Sequence, residues 1–529
     1  MVFNISGPYY CGNICCSLEE KKVRAFILGL DGATFDVFEE WVDAGKLPNF
    51  RKLFEESTRG HLITTIPPLT PSAWSSFMTG KNPGKHGVLD FYELDEEMNV
   101  KVSYRKARKA TTIWKYFSMK GYRVISIHVP FTYPPEPVNG IMISGFLTPS
   151  LNSSFIYPPE MRDEFIKNFP DYRFAENTRF SERREDQEAF REEIFENMKL
   201  RMKVADYMME KYPWDLFMVT FMGIDHAQHW YWRFYDKDSP YYDPEGAKSL
   251  GDTIFKAYSL IDDYLGDLLA RLGEDTYFCI MSDHGFGRFY KQVFVNNWLK
   301  ERGFIKFKRD VRTLVKRSFY EVGLDTKKIS ELVFKSGLGK LWAKFSSESK
   351  ASLASGFGIT FKDVDWRRTE AYSFGYFGPV FVNLEGRFPF GSVKHEDYEK
   401  VREKIIEAML ELEDPERGKK IVNKVWKKEE IYNGPFVDRF PDVVVAMDDF
   451  AYTSSTFPFP SKRLFATPFT YKSGEHRMNG VFIFKGPGVK RNYFIERPSI
   501  MDITPTLMQL FRIPIPEDMD GRVLKEIFE

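Results

Sequence analysis

The chain has 529 residues, with Lys+Arg and Asp+Glu equal at 75 each, 43% hydrophobic residues and 28% charged residues. That length exceeds one simple core and implies a large main domain plus an insertion or second lobe, in an ordinary soluble composition. Zero net charge removes any bulk attraction to nucleic acid or an anionic membrane, so no stable nucleic-acid complex is expected.

Three of the four cysteines (Cys11, Cys15 and Cys16) fall in the first sixteen residues, without the second CxxC or paired histidines of a zinc module. Cys279 lies in an apolar run and reads as a small buried hydrophobe. A disulfide-built secreted scaffold is not indicated. The first twenty residues lack a basic n-region and an uninterrupted apolar h-region, and no run approaches the ~20 residues of a membrane span. A cytoplasmic location is therefore expected. Only four glutamines occur, against abundant Lys, Glu and Arg, a bias that suits a thermophile source.

In chain order, Arg24 to Leu30 reads as a strand buried on both faces, ending at Asp31-Gly32, with amphipathic helical sequence to about Ser57. Next comes Ile66-Pro67-Pro68-Leu69-Thr70-Pro71-Ser72-Ala73-Trp74, running on to Thr79-Gly80. Its grammar is a helix start with Thr70 at the N-cap, Pro71 at the first helical position and Gly80 as the stop. Thr70 is read as more than a cap, because the rest of the chain offers metal-ligating residues at strand ends to set beside its hydroxyl. The Asn82-Pro83-Gly84-Lys85-His86-Gly87 loop follows, with His86 either near the site or fixing its own turn. Tyr122 to Val129 is a strand that runs into Pro130-Phe131-Thr132-Tyr133-Pro134-Pro135, a pocket wall or packed coil. Phe131 and Tyr133, with Asp90, are the candidate substrate contacts.

Glu182 to Tyr212 is a long charged helix with apolar residues at helical spacing. The buried strand Trp214 to Phe221 leads into Gly223-Ile224-Asp225-His226-Ala227-Gln228-His229. As a helix, this segment sets Asp225 and His229 on one face, able to chelate a single ion. After a further helix, strand Thr276 to Met281 ends in Ser282-Asp283-His284-Gly285, where Gly285 and Gly287 permit a turn that lets Asp and His both ligate. Between 293 and 364 the pattern changes to short basic and aromatic helices, read as an inserted cap. The basic stretch Lys306 to Lys316 within it reads as a solvated helical surface. Strand-like aromatic sequence, a helix from His395 and a strand at 441–446 precede Gly474-Glu475-His476-Arg477-Met478. A last strand and a helix from about Thr504 close the chain.

The candidate metal ligands are thus Asp31, Asp225, His229, Asp283, His284 and His476, beside Thr70. His61, His128 and His395 read as structural or exposed. Each ligand follows or precedes a buried strand, so a doubly wound, mostly parallel α/β sheet would gather them at one end. Imidazole plus carboxylate favours zinc, or manganese or iron, over magnesium or calcium.

With ILGLDG, PPLTPSAW…TG, NPGKHG, GIDHAQH, MSDHG and GEHRMNG in this order, the chain resembles the type I phosphodiesterase/nucleotide pyrophosphatase family of the alkaline phosphatase superfamily. The resemblance spans roughly residues 24 to 526. It implies an alkaline-phosphatase-like catalytic domain over 23–292 and 365–529, with a tail at 1–22 and the cap at 293–364. It also implies two divalent ions, one held by Asp225, His229 and His476, the other by Asp31, Asp283, His284 and the Thr70 hydroxyl. Thr70 would then attack phosphorus in an in-line, two-metal scheme through a phosphothreonine, on a small phosphodiester or nucleotide substrate. One position departs from the family pattern: the segment after His86-Gly87 has Asp90 and no asparagine, and an ionised Asp90 cannot donate to a phosphoryl oxygen.

The alternatives are a phosphomonoesterase or phosphomutase with the same ligands, or a metal-stabilised binding module without turnover. A sulfatase, which needs a nucleophile within a C/S-x-P-x-R segment, is set aside because none of the four cysteines has that context. A phosphoethanolamine-type transferase is disfavoured by the lack of a membrane tether. The sequence carries no reading of oligomeric state.

Overall fold

A computed structural model describes residues 23–322, 358–388, 390–455, 458–468 and 471–529. The expected tail, with Cys11, Cys15 and Cys16, and the stretch 323–357 of the expected cap lie outside the described residues.

β1 (Arg24–Leu30) has side chains of both faces buried because it lies near the centre of a nine-stranded sheet. The other strands are β2 (Thr58–Ile63), β3 (Val124–Ile127), β4 (Gly140–Ile143), β5 (Ile156–Tyr157), β6 (Leu216–Phe221), β7 (Thr276–Met281), β8 (Asn479–Lys485) and β9 (Tyr493–Phe494). Their spatial order is β9-β2-β8-β7-β1-β6-β3-β4-β5. The central run β7-β1-β6-β3-β4 is parallel; β8 is antiparallel to both β7 and β2, and β5 to β4.

The two-residue period of β1 divides the core. Phe26, Leu28 and Leu30 join one apolar cluster, Ala25 and Ile27 the other. The first cluster packs under α1 (Phe35–Asp43), α2 (Pro48–Glu56), α4 (Arg184–Lys211), α5 (Gly223–Tyr235) and α6 (Thr253–Leu272). The second packs under α3 (Thr70–Thr79) and α9 (Ile503–Leu510). The sheet is therefore doubly wound, as the strand pattern predicts. Register holds the first cluster in line: Phe26 pairs with Phe217 and Phe278, with ring centroids 4.8 and 6.0 Å away. Each such contact contributes about 0.5–1.5 kcal/mol beyond area burial.

A third core unites Val293–Phe307, Tyr320 of α7 (Val311–Glu321), the strands near 371–382 and 443–447, and α8 (Tyr398–Leu410). The described part of the expected 293–364 insertion thus shares one core with residues as far as Phe459. A four-stranded antiparallel sheet (Ala371–Ser373, Val380–Val382, Val443–Met447, Val422–Lys427) forms its frame. Periodicity at 293–364 marks where this body starts but carries no signal for the later strands that complete it.

Candidate metal and nucleophile site

Strand direction gathers the site. β1, β6 and β7 are parallel, so Asp31, the start of α5 and Asp283-His284 all emerge at one end. β2 runs the same way, being antiparallel to β8 as β7 is, and α3 begins beyond its carboxyl end. His476 reaches the same edge ahead of β8, on Gly474–Arg477, which pairs antiparallel with Gly285–Arg288 and sets Phe286 opposite His476. Open α/β sheets present ligand sites at this edge.

Two groups of atoms result, all buried. His229 Nε2 lies 3.0 Å from His476 Nε2, and Asp225 Oδ1 lies 3.4 Å from each. Beside them, His284 Nε2 lies 3.3 Å from Asp283 Oδ2, 3.6 Å from Asp31 Oδ1 and 3.4 Å from Thr70 Oγ1. Each of the three imidazoles turns its Nδ1 to a backbone carbonyl: His229 to Gly474 at 2.9 Å, His284 to Gly285 at 3.1 Å and His476 to Pro68 at 2.8 Å. Those bonds fix the tautomer and aim the Nε2 lone pairs inward, the arrangement by which histidines hold metal ions.

The carboxylates match. Asp31 Oδ1, Asp225 Oδ1 and Asp283 Oδ2 are buried with no hydrogen-bond partner, although the opposite oxygens of Asp31 and Asp283 are bonded to Trp74 Nε1 (2.8 Å) and Gly32 N (3.2 Å). Orphaned buried carboxylate oxygens are costly without a cation. Burial, with repulsion from Asp283 and Asp225, pushes Asp31 well above the usual carboxylate range; burial pushes Asp283 up to about 7. For Asp225 burial also acts upward, but His229 and His476 outweigh it and hold it well below that range. Burial holds His229 and His284 far below the ordinary imidazole value. This donor set fits divalent cations with mixed nitrogen and oxygen coordination.

Thr70 is the first helical residue of α3, and Leu69 takes the N-cap without a side-chain bond. The N-cap assignment for Thr70 is thereby corrected, because the extended backbone required of a cap falls one residue earlier. The hydroxyl is left for His284 and its neighbours. Gly80 ends the helix in the left-handed region at φ +65° as predicted. Gly285 and Gly287 serve close packing instead of a turn. A Cβ on Gly285 would stand 2.1 Å from the Asn479 carbonyl, and one on Gly287 2.8 Å from Arg477 Nε.

Asp90 lines a cleft of about 1090 Å³ that also touches Leu69, Tyr376 and Phe377. Its oxygens accept from the backbone N–H groups of Phe91 (2.6 Å) and Tyr376 (2.9 Å), so it braces that wall. Phe131 is buried with its carbonyl accepting from Arg108 Nη1 at 3.2 Å, and Tyr133 packs edge-on against Tyr104. Neither is part of the cleft lining. His86 accepts from its own turn at Val88 N (3.2 Å) and meets Ser76 Oγ at 2.9 Å; His226 pairs with Glu176 at 2.7 Å.

Sequence reasoning missed Trp74, Glu475, Tyr376 and Lys472. Glu475 is fully buried, accepts from Tyr376 Oη at 2.8 Å and lies within ligating reach of His229 and His476. Lys472 Nζ stands 3.2 Å from His229 Nε2 and 3.4 Å from Tyr376 Oη. Trp74 and Glu475 sit inside motifs already singled out. Tyr376 arrives from the second lobe, and nothing local in the sequence points to it.

The fold is alkaline-phosphatase-like, and by family the chain is a hydrolase acting on phosphoric ester bonds. The profile of the type I phosphodiesterase / nucleotide pyrophosphatase family matches residues 25–457, and the chain belongs to that family. Solved structures of murine and human ectonucleotide pyrophosphatase / phosphodiesterase 5 share the fold. Both match with a TM-score of 0.51 at 13% identity, covering 96% of this chain and 100% of theirs. An inactive threonine-to-alanine variant of the murine protein, in complex with AMP, matches over the same shares with a TM-score of 0.52 at 13% identity. A search of curated proteins gives no match.

Proposed function

We propose that the protein hydrolyses phosphoric diesters or nucleotide pyrophosphate bonds through a covalent phosphothreonine at Thr70. The observation that carries this is the position of Thr70 Oγ1, 3.4 Å from His284 Nε2 and beside the unpartnered oxygens of Asp31 and Asp283. Asp225, His229 and His476 would hold one divalent ion; Asp31, Asp283 and His284, with the Thr70 oxygen, would hold a second. Zinc suits the three imidazoles best, with manganese or iron as substitutes. Bound ions would supply Lewis acidity to the phosphoryl and leaving oxygens and lower the pKa of the threonine hydroxyl.

The chain's own groups do the rest. Thr70 Oγ1 attacks phosphorus and the ester oxygen opposite it departs; water then cleaves the new Oγ1–P bond and restores the hydroxyl. Thr70 stands at the amino end of α3, where the helix's partial positive charge favours the phosphoryl anion. Tyr376, held by Glu475, and the cleft beside Leu69 take the rest of the substrate. The inactivity of a threonine-to-alanine variant in the murine protein, and its complex with AMP, support both the nucleophile and a nucleotide-type substrate.

The test compares bis-p-nitrophenyl phosphate with p-nitrophenyl phosphate on metal-counted wild type and Thr70→Ala. Diester preference in the wild type is expected, with loss of at least about 1,000-fold in kcat/KM in the variant when rates are compared per metal-loaded site. Monoester preference would transfer the function to a phosphatase or phosphomutase. Equal rates in the two proteins would remove Thr70 as nucleophile.

A further inference from the structure

Helix α7 is turned inside out. Asp310 caps it, accepting from Thr313 N at 3.0 Å. The residues it buries against the second lobe are polar. Lys316 Nζ donates to Asp363 at 3.0 Å, and Tyr320 Oη shares its one hydrogen between Asn297 Oδ1 at 2.5 Å and the Ser461 carbonyl at 2.7 Å. Thr313 lies on the same face. The opposite face carries Val311, Leu314, Val315 and Phe319, with Val322 at the C-cap, and all five are solvent-exposed, Val311 at 77% and Val322 at 69%.

At 100° per residue these five fall within one arc. A surface helix of a globular protein ordinarily buries such an arc and exposes its polar side. A contiguous exposed apolar face rimmed by polar residues marks an interaction surface. The stretch 306–317 carries six basic residues and one acidic residue, Asp310, within a chain of zero net charge. Lys306, Lys308, Arg309 and Arg312 are exposed; Arg312 falls at the edge of the apolar arc and Arg309 lies just ahead of the helix, while Lys308 Nζ donates to the Lys362 carbonyl. An apolar face with a basic border complements the interface of an anionic bilayer, with acyl boundary beneath and lipid phosphates at the rim. No helix among the described residues is long and apolar enough to cross a membrane, so contact would be peripheral.

We infer that α7 is a docking face for an anionic lipid surface, with Leu314, Val315 and Phe319 entering the interface and Arg309 and Arg312 meeting headgroup phosphates. The inference stands independently of the reaction at Thr70.

The test is vesicle sedimentation of the full chain, with phosphatidylcholine alone and with phosphatidylcholine mixed with phosphatidylglycerol, at low and high salt. The wild type is expected to pellet with the anionic vesicles only, and to be released by salt. Leu314→Asp combined with Phe319→Asp should weaken binding about tenfold or more. Arg309→Gln combined with Arg312→Gln should weaken it at low salt by a similar factor. Failure of the wild type to pellet with anionic vesicles, or unaltered binding by the Leu314/Phe319 variant, overturns the inference. A wild-type dimer in light scattering that this variant converts to monomer would assign the face to a second copy and overturn it too. So would a lipid-free melting temperature lowered by several degrees in that variant, which would mean that the chain's own residues cover α7.

Discussion

Asp283 illustrates how burial makes a residue's job visible. Its carboxylate is buried with those of Asp31 and Asp225, where three negative charges without a cation are untenable. Asp283→Asn keeps the shape and removes the charge, so it should lose bound metal and at least about 100-fold in kcat/KM together. Metal analysis of the purified variant beside its kinetics checks this, and full activity at native metal content would sink the ligand assignment. Trp74 acts one step back, donating Nε1–H to Asp31 Oδ2 at 2.8 Å. Trp74→Phe should weaken metal binding or turnover by about 10–100-fold, as removal of an orienting bond does. Competition titration with a chromophoric chelator measures the affinity directly.

Elements decide which residues meet. The second lobe hangs on Asp442, which is fully buried and bonded to Arg387 Nη2 (2.9 Å), Tyr398 Oη (2.6 Å), Val382 N (2.7 Å) and Lys428 Nζ (3.1 Å). Burial raises its pKa, but the Arg387 bonds and the charges of Arg387 and Lys428 prevail and hold it below the usual carboxylate range. A depressed folded pKa stabilises the fold above the unfolded value, and that stability is lost as pH falls through the folded value. Asp442→Asn should therefore cost about 3–5 kcal/mol at neutral pH, by leaving two buried cations under-compensated. The difference from wild type should shrink as pH falls below the ordinary carboxylate range. Urea midpoints for both proteins across that range provide the check. Since this lobe carries Tyr376 to the cleft wall, the variant should lose substrate affinity before it loses metal.

For the whole molecule, the candidate ligands come from four separate stretches between Asp31 and His476, so an ion held by them would tie the two ends of the sheet's sequence together. Chelation should lower the melting temperature by several degrees, because a ligand held at about 100 times its Kd adds about 2.7 kcal/mol. Re-addition of zinc should restore the temperature, and calorimetry with and without chelator measures it. No change on chelation would mean that the six residues stabilise the fold without an ion.

Much of this was legible in the chain itself. Buried strands read as apolar runs because both faces of a central parallel strand are covered, and ligands fall immediately after them because a strand must end where its pattern ends. Asp31, Asp283 and His284 are therefore local facts of the sequence, and Asp225 with His229 follows from helical spacing alone. Tertiary structure decided what depends on contacts remote in sequence: that Leu69 and not Thr70 caps α3, that Gly285 answers a carbonyl of β8, and that Tyr376 and Glu475 join across lobes. It also decided which face of α7 turns outward. The sequence marks Lys306 to Lys316 as a basic helical surface, but only the polar partners Asp363, Asn297 and Ser461, on the other side of α7, determine that its apolar residues face solvent.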